Sequence, residues 1–308
     1  MRKIRFHRHG GAEVLQLDEV AVPEPAPGTV QVRVEAAGVS LMLLKLLHPD
    51  GGAALPGSPG GGFVGRITAL GEGVTEYRLG ERVGGIAADA YADCLTAHPA
   101  AISAVPEEVD AADALGIVHG GLVALAALKV GGFDSGDQVL ITNAAGGVGH
   151  LMVQLARALG ASRVVAAVGD PAAKGEFLRG CGADEVIAYA AGTAPVDLVL
   201  EAAGGTVLPW ALGTLRPMGR LVTMAGYGGT LDAGAVLGSM ATVTGLSMGQ
   251  LARHRPALVA EVRAELWRLL AEGRLKPASV EYPLERAAEA AALLAGRANL
   301  GKVVLRVG

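Results

Sequence analysis

Two hydrophobic patterns divide the chain. Up to about residue 118, short apolar or alternating runs, such as residues 30–36, 63–70 and 82–87, are separated by segments rich in proline and glycine. Short runs of this kind are typical of half-buried β-strands, and the proline and glycine residues between them are typical of turns. We therefore expect a mostly β domain in this part of the chain, folded as a partly open barrel.

A strand, a tight turn and a helix follow one another in the next part of the chain. Residues 139–142 are apolar and mostly β-branched, residues 144–149 read Ala-Ala-Gly-Gly-Val-Gly, and residues 150–159 have apolar positions at helical spacing. A turn of such small residues lets backbone N–H groups approach a pyrophosphate and directs the positive end of the helix at it. The segment therefore predicts a phosphate-binding turn.

This turn matches the dinucleotide-binding fingerprint with one departure, because Ala144 stands where the first glycine is expected, before Gly146 and Gly149. A fingerprint alone is a weak signal. About twenty residues further on, where the residue that contacts the ribose is expected, a second apolar strand over residues 163–168 ends at Gly169. The two strands and the helix form a βαβ unit. We expect the cofactor to contact the turn at Ala145, Gly146, Gly147 and Val148.

Two more apolar strands also end in small residues. Residues 197–201 lead into Ala-Ala-Gly-Gly, and residues 220–225 lead into Gly-Tyr-Gly-Gly. Parallel strands that end in glycine at one edge of a sheet form a crevice for a ligand. A doubly wound domain that has lost its ligand is the alternative, and the succession of glycine-rich strand ends argues against it. Further cofactor contacts are predicted at Gly169, Ala203, Gly226 and Tyr227.

The last part of the chain contains two helices and a strand. Residues 262–272 and 284–294 have helical spacing, and residues 302–307 form an apolar strand that we expect to return to the first domain. The predicted fold class is α/β, with a partly open β-barrel domain and a Rossmann-type, doubly wound parallel-sheet domain. The barrel domain is predicted to comprise residues 1–118 and 261–308, and the parallel-sheet domain residues 119–260.

The composition narrows the range of partners. The 308 residues are 51% hydrophobic, enough for two cores, and a net charge of -4 gives no basic surface for nucleic acid or an anionic membrane. Cys94 and Cys181 are too few for a disulfide framework, so we expect core thiols in a reducing compartment. No apolar signal-peptide stretch and no long uncharged apolar segment is evident. We therefore expect a cytoplasmic protein that binds neither nucleic acid nor membrane.

Short motifs in a fixed order carry a family resemblance over nearly the whole chain. They are Gly10-Gly-Ala-Glu-Val-Leu15, the proline-rich segment 23–34, Ala36-Ala-Gly-Val39, the segment 65–74, Gly80-Glu-Arg-Val83, the turn at 144–149, Leu178-Arg-Gly-Cys-Gly-Ala-Asp184 and Asn299-Leu-Gly-Lys-Val-Val304. As an ordered set they resemble the medium-chain dehydrogenase/reductase superfamily, and within it the zinc-free quinone oxidoreductase and enoyl reductase branch. The set is specific for the family and not for a substrate.

The resemblance implies a GroES-like substrate domain, a Rossmann domain, and a cleft between them in which the nicotinamide delivers hydride to an activated C=C or a quinone. Relatives that bind zinc have a cysteine where this chain has Ser40 and a His-Glu pair where it has Gly61 and Gly62, so no metal is expected. Family members commonly form homodimers through the edge of the Rossmann sheet. Residues 236–248 carry few charges and suit that use, although a buried helix and strand explain them equally well.

The residues around the second strand end favour NADPH over NADH. An NAD enzyme places a carboxylate there, whereas an NADP enzyme needs space and cations for the 2′-phosphate. The matching position is Gly169, and the resemblance places Lys174 and Tyr189 where NADPH-dependent relatives hold the phosphate. Asp170 is contrary evidence, but Asp170-Pro171 is also typical of a helix N-cap followed by proline. An exposed helix lysine and a surface aromatic are the alternatives for Lys174 and Tyr189.

The resemblance implies two further cofactor contacts. Asn299 resembles the asparagine that reaches the cofactor in alkenal and prostaglandin reductases, and its alternative is a turn residue before the last strand. Val123 stands where relatives have a threonine near the nicotinamide carboxamide. Both positions are therefore included in the predicted cofactor site.

The substrate side departs further from the family. Relatives have an asparagine, an aspartate and a tyrosine where this chain has Ser40, Leu43 and Lys45, so we expect an unusually apolar pocket and an apolar small-molecule substrate. Conjugate reduction requires a donor for the enolate oxygen and a proton for the α-carbon. The candidate catalytic residues are Ser40, Lys45 and His119. Each has a structural alternative, respectively a bond to its own backbone, a solvent-facing lysine and a satisfied interdomain histidine, and water could supply the proton.

Three functions are compatible with these residues. The first is an NADPH-dependent, zinc-independent reductase of an enone, enoyl thioester or quinone, with a specialised substrate such as a biosynthetic intermediate. The second is a quinone reductase of broad tolerance with a protective role. The third is a degenerate family member that binds NADP(H) but performs a non-redox step or acts as a binding protein. The loss of the polar substrate-side residues motivates the third function, and the intact cofactor motif argues against it.

Overall fold

The computed structural model of the chain describes residues 1–224 and 228–308. These residues form two compact units. The first unit comprises Met1–His119 and Ala278–Gly308, and the second comprises Gly120–Pro277. The first unit is therefore built from two separate segments of the chain, and the second unit is inserted between them.

The first segment of the first unit is mostly strand, as its alternating pattern predicts. Its strands are β1 (Arg2–Phe6), β2 (Leu15–Glu19), β3 (Val30–Val39), β4 (Gly61–Leu70), β5 (Arg82–Ala87), β6 (Cys94–Ala97) and β7 (Ile102–Ala104). Its helices are α1 (Leu41–Leu47) and α2 (Ala111–Leu115), and α2 continues as a π-helical turn, Gly116–Gly121. Strand β3 continues three residues beyond the predicted end at residue 36, through Gly38. Strand β4 begins two residues before the predicted start at residue 63, and these two residues include Gly62.

The second unit alternates strands and helices. Its strands are β8 (Gln138–Thr142), β9 (Arg163–Val168), β10 (Glu185–Ala188), β11 (Val196–Glu201), β12 (Leu215–Thr223) and β13 (Thr242–Gly245). Its helices are α3 (Leu122–Val130), α4 (Gly149–Ala158), α5 (Pro171–Gly180), α6 (Val207–Leu212), α7 (Ala233–Ser239), α8 (Met248–His254) and α9 (Pro256–Ala271). Together they make the repeated βα pattern that the sequence predicts.

The chain then returns to the first unit through β14 (Ser279–Pro283), α10 (Ala287–Ala295) and β15 (Lys302–Arg306). The main sheet of this unit has the order β14-β15-β3-β4-β5-β7, and β6 pairs with β3 beside it. In the antiparallel pairing of β15 with β3, Val303 lies opposite Val39. The expectation that the last strand returns to the first domain is confirmed. The largest buried side chains of this core include Phe6, Phe63 and Tyr91.

The six strands that the structure describes over residues 120–224 and 228–277 form one sheet with the order β10-β9-β8-β11-β12-β13. All the pairings in this sheet are parallel. Its central strands are mostly apolar, with polar residues at or next to their ends, as expected for a doubly wound sheet that helices cover on both faces. The predicted Rossmann-type fold is confirmed, and β9 has the predicted bounds. Parallel pairing brings the carboxyl ends of β8, β9, β11 and β12 to the same edge of the sheet.

The second unit extends further along the chain than the sequence pattern indicated. The pattern placed the return to the first domain at residue 261, whereas the first unit resumes at Ala278. Helix α9 packs against α3 and buries Val259, Val262, Leu266 and Leu269. Helical spacing shows that such a helix has an apolar face, but it does not show which unit that face contacts.

Among the residues that the structure describes, one helical run is long and apolar enough to cross a membrane by length and composition. It covers Ala111–Val130, and an 18-residue window within it has a mean hydropathy of 1.7 and is 83% buried inside the protein. The run contains Asp113 and Lys129, so it is not the long uncharged apolar segment whose absence the sequence indicated. Extensive burial of this kind is typical of a core helix in a globular protein.

Candidate functional site

The turn between β8 and α4 has the geometry of a phosphate-binding loop. Asn143 adopts a positive φ of 50°, and a Cβ added at Gly149 would lie 2.2 Å from the carbonyl oxygen of Asn143. Glycine is therefore required where α4 begins close to the end of β8. No side chain caps the first turn of α4, which leaves its positive end available to an anion. The predicted contacts Ala145, Gly146, Gly147 and Val148 all lie in this turn.

A buried carboxylate organises the same edge of the sheet. Glu201, the last residue of β11, is fully buried, and its Oε1 accepts hydrogen bonds from the backbone N–H groups of Ala203 (2.8 Å) and Gly204 (2.6 Å). The hydroxyl of Thr142 donates to the same oxygen (3.3 Å), and the hydroxyl of Thr223 donates to Oε2 (3.1 Å). One side chain thus joins the carboxyl ends of β8, β11 and β12.

The loops that follow β11 and β12 lie next to each other. The N–H of Gly205 donates to the carbonyl oxygen of Gly228 (2.9 Å), and Ala203 is half-buried beside Glu201. The structure therefore places Ala203 at the predicted edge of the sheet. Gly226 and Tyr227, also predicted as cofactor contacts, lie outside the described residues.

The end of β9 has space for a phosphate and a cation near it. A Cβ added at Gly169 would meet no atom within 4 Å, and Lys174 lies half-buried on α5. Asp170 caps α5, with its Oδ1 accepting from the N–H of Ala173 (3.0 Å), so the N-cap interpretation is confirmed. The hydroxyl of Tyr189 accepts a hydrogen bond from the N–H of Asn143 (3.2 Å). Space and a cation fit the 2′-phosphate of NADPH.

A second set of polar side chains lies in the first unit. Ser40 precedes α1 but makes no capping hydrogen bond to it, so the alternative of a local backbone bond is not what the structure shows. His119 lies in the π-helical turn, and its Nδ1 is buried without a hydrogen-bond partner among the described residues. Lys302 begins β15, is 5% exposed, and donates to the carbonyl oxygen of Val39 (3.4 Å).

Burial lowers the pKa values of the histidine and the lysine. It lowers the pKa of His119 to about 3, with a smaller contribution from the positive charge of Lys302, so this imidazole is neutral at pH 7. It lowers the pKa of Lys302 to about 8, so this ammonium still carries its charge at pH 7 but loses it more readily than an exposed lysine. The first unit therefore holds a buried cation beside a neutral imidazole.

The remaining predicted residues lie elsewhere. Lys45 is exposed on α1, which is the solvent-facing alternative considered for it, and this position does not support a role as a buried donor. Val123 is half-buried on α3 of the second unit. Asn299 is buried, and its Nδ2 donates to the carbonyl oxygen of Gly301 (2.8 Å), so in this structure it stabilises the turn before β15.

Lys302 and Glu201 were not among the predicted site residues. Lys302 was quoted only as part of a motif, although a lysine at the start of the apolar run Val-Val-Leu is a signal that it could be buried. Glu201 is a charged residue at the end of an apolar strand, which is a similar signal of burial.

Cys94 and Cys181 are both free and half-buried, so the expectation of core thiols is wrong in that they are partly exposed. Among the residues of 1–224 and 228–308, no group of three or more His, Cys, Asp or Glu side chains could hold a metal ion.

Two family models match the chain. The alcohol dehydrogenase GroES-like domain matches residues 26–125, and a model described as zinc-binding dehydrogenase matches residues 181–305. A quinone-oxidoreductase homolog from the chloroplast of Spinacia oleracea is 32% identical over 235 residues, which are 68% of this chain and 70% of that protein. The two family models together, and the alignment with the chloroplast protein, each include residues of both the first and the second unit.

A much longer protein and a solved structure are also similar. A protein of the spectinabilin polyketide synthase system of Streptomyces orinoci is 34% identical over 96% of this chain, and the chain spans 14% of its length. The crystal structure of Escherichia coli quinone oxidoreductase complexed with NADPH is 27% identical, with a TM-score of 0.90, and the match covers 99% of this chain and 100% of that chain.

Proposed function

This chain belongs to the medium-chain dehydrogenase/reductase superfamily, in its zinc-free quinone oxidoreductase and enoyl reductase branch, and on that premise we propose that it reduces a quinone or an activated C=C without a metal. It is an oxidoreductase, and its cofactor is NADPH. The acceptor that we propose is a small apolar molecule, either a quinone, an enone or an enoyl thioester. The second unit binds the cofactor, and the first unit binds this acceptor.

The geometry of the turn at residues 143–149 is the observation that carries this proposal. Its backbone and the uncapped first turn of α4 are suited to the pyrophosphate, because both present N–H groups to an anion. The open space at Gly169 and the half-buried Lys174 suit the 2′-phosphate. Tyr189 is proposed to contact the same phosphate. Contacts to the rest of the cofactor are proposed for Val123, Ala203, Gly226, Tyr227 and Asn299.

The bound cofactor supplies a hydride from its nicotinamide ring. The protein supplies orientation, exclusion of water and stabilisation of the charge that develops on the acceptor. Glu201 acts through the loop after β11, because its carboxylate fixes the backbone of Ala203 and Gly204. Ser40 and His119 remain candidates for contact with the acceptor in the first unit.

The test is a fluorescence titration of the purified protein with NADPH and NADH, followed by a panel of quinones, enones and enoyl thioesters with nicotinamide absorbance as the readout. We expect tighter binding of NADPH and oxidation by one acceptor class, unchanged by a metal chelator. Binding without turnover would favour the non-redox function instead. Failure to bind either nucleotide would contradict the assignment of the turn, and loss of turnover with chelator would contradict metal independence.

We also propose that the protein is a cytoplasmic homodimer. β13 forms one edge of the parallel sheet, and two large apolar side chains that precede it in the chain, Leu237 and Met240, are 79% and 65% exposed. An exposed strand edge next to apolar side chains is suited to pairing with a second copy of the same edge. This proposal does not depend on the identity of the acceptor.

A further inference from the structure

Lys302 is a buried cation of the first unit, whereas the cofactor turn at residues 143–149 belongs to the second unit. Its ammonium has three N–H donors, and the structure shows one in use, to the carbonyl oxygen of Val39. No carboxylate among the described residues pairs with it, and burial is what displaces its pKa from the usual value. A buried charge without a partner destabilises a folded protein, which makes such a group a candidate for ligand binding.

Two glycines on neighbouring strands make room for Lys302 and His119. A Cβ added at Gly38 of β3 would lie 2.6 Å from Cε and 2.9 Å from Nζ of Lys302, and one added at Gly62 of β4 would lie 3.1 Å from Cβ of His119. Leu115 is close to both glycines, at 3.5 Å from the first Cβ position and 3.3 Å from the second. The lysine and the histidine therefore lie around the same leucine side chain.

Two other polar groups of the first unit differ in whether they already make a hydrogen bond. The hydroxyl of Tyr91, which is fully buried, donates to the carbonyl oxygen of Gly38 (3.2 Å) and holds the end of β3 in place. Nδ1 of His119 is buried and has no partner among the described residues. Two groups with unused hydrogen-bonding capacity are thus the ammonium of Lys302 and the imidazole of His119, which can present one N–H while neutral.

We propose that Lys302 and His119 bind the substrate oxygen that becomes negatively charged during reduction, and that the substrate is a conjugated carbonyl compound held through its carbonyl oxygen. This inference rests on the proposed function. Hydride addition to the β-carbon moves the electron pair of the C=C towards the carbonyl oxygen and gives an enolate, while NADPH is oxidised to NADP⁺. The α-carbon then takes a proton from water. A cation at that oxygen stabilises the enolate more than it stabilises the neutral carbonyl, which lowers the barrier.

The probe is 4-nitrophenol, because its phenolate resembles an enolate oxygen and absorbs differently from the neutral phenol. We expect the wild-type protein to bind it as the phenolate. The variants K302M and H119L remove the ammonium and the imidazole without adding a new charge. K302M should weaken phenolate binding by about tenfold or more, as expected for loss of a hydrogen bond to a charged group, and H119L by less. The matched control is K276M, since Lys276 is an exposed lysine of the second unit.

Two binding results would overturn the inference: no binding of the phenolate by the wild-type protein, or equal binding by the wild type and K302M. NADPH titration of every variant reports whether the cofactor site is intact. If the wild type and K302M reduce an enone with the same kcat/KM, the inference fails and the proposed reductase function stands. If phenolate binding depends on Lys302 but no acceptor of the panel is reduced by the wild type, the proposed function fails instead.

Discussion

The hydroxyl of Thr142 donates a hydrogen bond of 3.3 Å to Oε1 of Glu201, and both side chains are fully buried at the carboxyl ends of adjacent parallel strands. The same hydroxyl accepts a hydrogen bond from the N–H of Ala202 (2.8 Å). The loop after β11 is therefore fixed by side chains from two strands before any ligand binds. A preorganised loop at this edge lowers the cost of ordering backbone around a cofactor.

Replacing Glu201 should lower both stability and cofactor affinity. In E201A, the N–H groups of Ala203 and Gly204 and the hydroxyl of Thr223 lose their acceptor in a buried site, so we expect the free energy of unfolding to fall by about 2–4 kcal/mol. T223V removes one donor and should cost about 1 kcal/mol. Urea denaturation measures both variants. A loss in E201A no larger than that in T223V would show that the carboxylate does not organise the loop.

A carboxylate at Gly169 should reduce the preference for NADPH. The position is open, with no atom within 4 Å of an added Cβ, so G169E is expected to fold and to place a negative charge where the 2′-phosphate would lie. We expect NADPH affinity to fall by about tenfold or more, with NADH affinity unchanged or improved. G169A is the control for the added side chain. Equal losses for both nucleotides in G169E would argue against a 2′-phosphate site here.

Removing the buried charge of Lys302 should stabilise the fold at neutral pH. The pKa of Lys302 is about 8 in the folded protein against an ordinary value of 10.5, so below pH 8 the charged form is buried at a cost of about 3 kcal/mol. K302M avoids this cost. As pH rises from 8 to 10.5, the unfolded chain holds the proton that the native protein releases, so the wild type becomes relatively more stable.

The measurement is chemical denaturation of the wild type and K302M between pH 7 and 9.5. We expect K302M to be more stable at pH 7 and the difference to narrow above pH 8. A constant difference across this range would mean that Lys302 keeps its proton in the folded protein throughout. A less stable K302M at pH 7 would mean that the packing of the lysine stem outweighs the burial of its charge.

A side chain at Gly149 should distort the cofactor turn. In G149A the added Cβ would lie 2.2 Å from the carbonyl oxygen of Asn143 and 2.7 Å from Cα of Ala144, and both are backbone atoms that cannot move aside cheaply. We expect a loss of about 1–3 kcal/mol in stability and weaker NADPH binding. G180A is the matched control, because an added Cβ at Gly180 of α5 meets no atom within 4 Å. Thermal unfolding and fluorescence titration distinguish the two.

The proposed dimer should depend on the edge near β13. L237D introduces a charge at an apolar side chain that is 79% exposed, and we expect it to convert a dimer into a monomer. L79D, at a residue of the first unit that is 65% exposed, should leave the assembly unchanged. Size-exclusion chromatography with light scattering gives the mass of each. A monomeric wild type would refute the proposal.

The local pattern of apolar and polar residues predicted the strands and helices of this protein better than it predicted the tertiary contacts that they make. β9 and β5 have the predicted bounds, because apolar periodicity acts within a few residues. Helix α9 was predicted, but its partner α3 was not, since an apolar face does not specify what it contacts. The same reason explains why Lys302 was missed: its burial comes from β3 and α2, which are about 190 to 260 residues away in the sequence.

In the candidate site, too, the features formed by consecutive residues were predicted, and those formed by residues far apart in the sequence were not. The turn at residues 143–149 and the N-cap at Asp170 were predicted, because both depend on consecutive residues with known backbone requirements. The carboxylate of Glu201 was not, because its partners come from three strands that only the folded sheet brings together. Lys45 was selected by its place in a motif, and its exposure on α1 could be learned only from the packing of that helix.

The position of β15 between β14 and β3 also sets an order of events during synthesis. β3 emerges from the ribosome early, but the edge that receives Val303 and Leu305 stays unpaired until the whole parallel-sheet unit has been translated. The second unit is contiguous and can fold while that edge waits. The nascent first unit is therefore the part most in need of protection from strand-to-strand aggregation, and a chaperone that acts on this protein would act there.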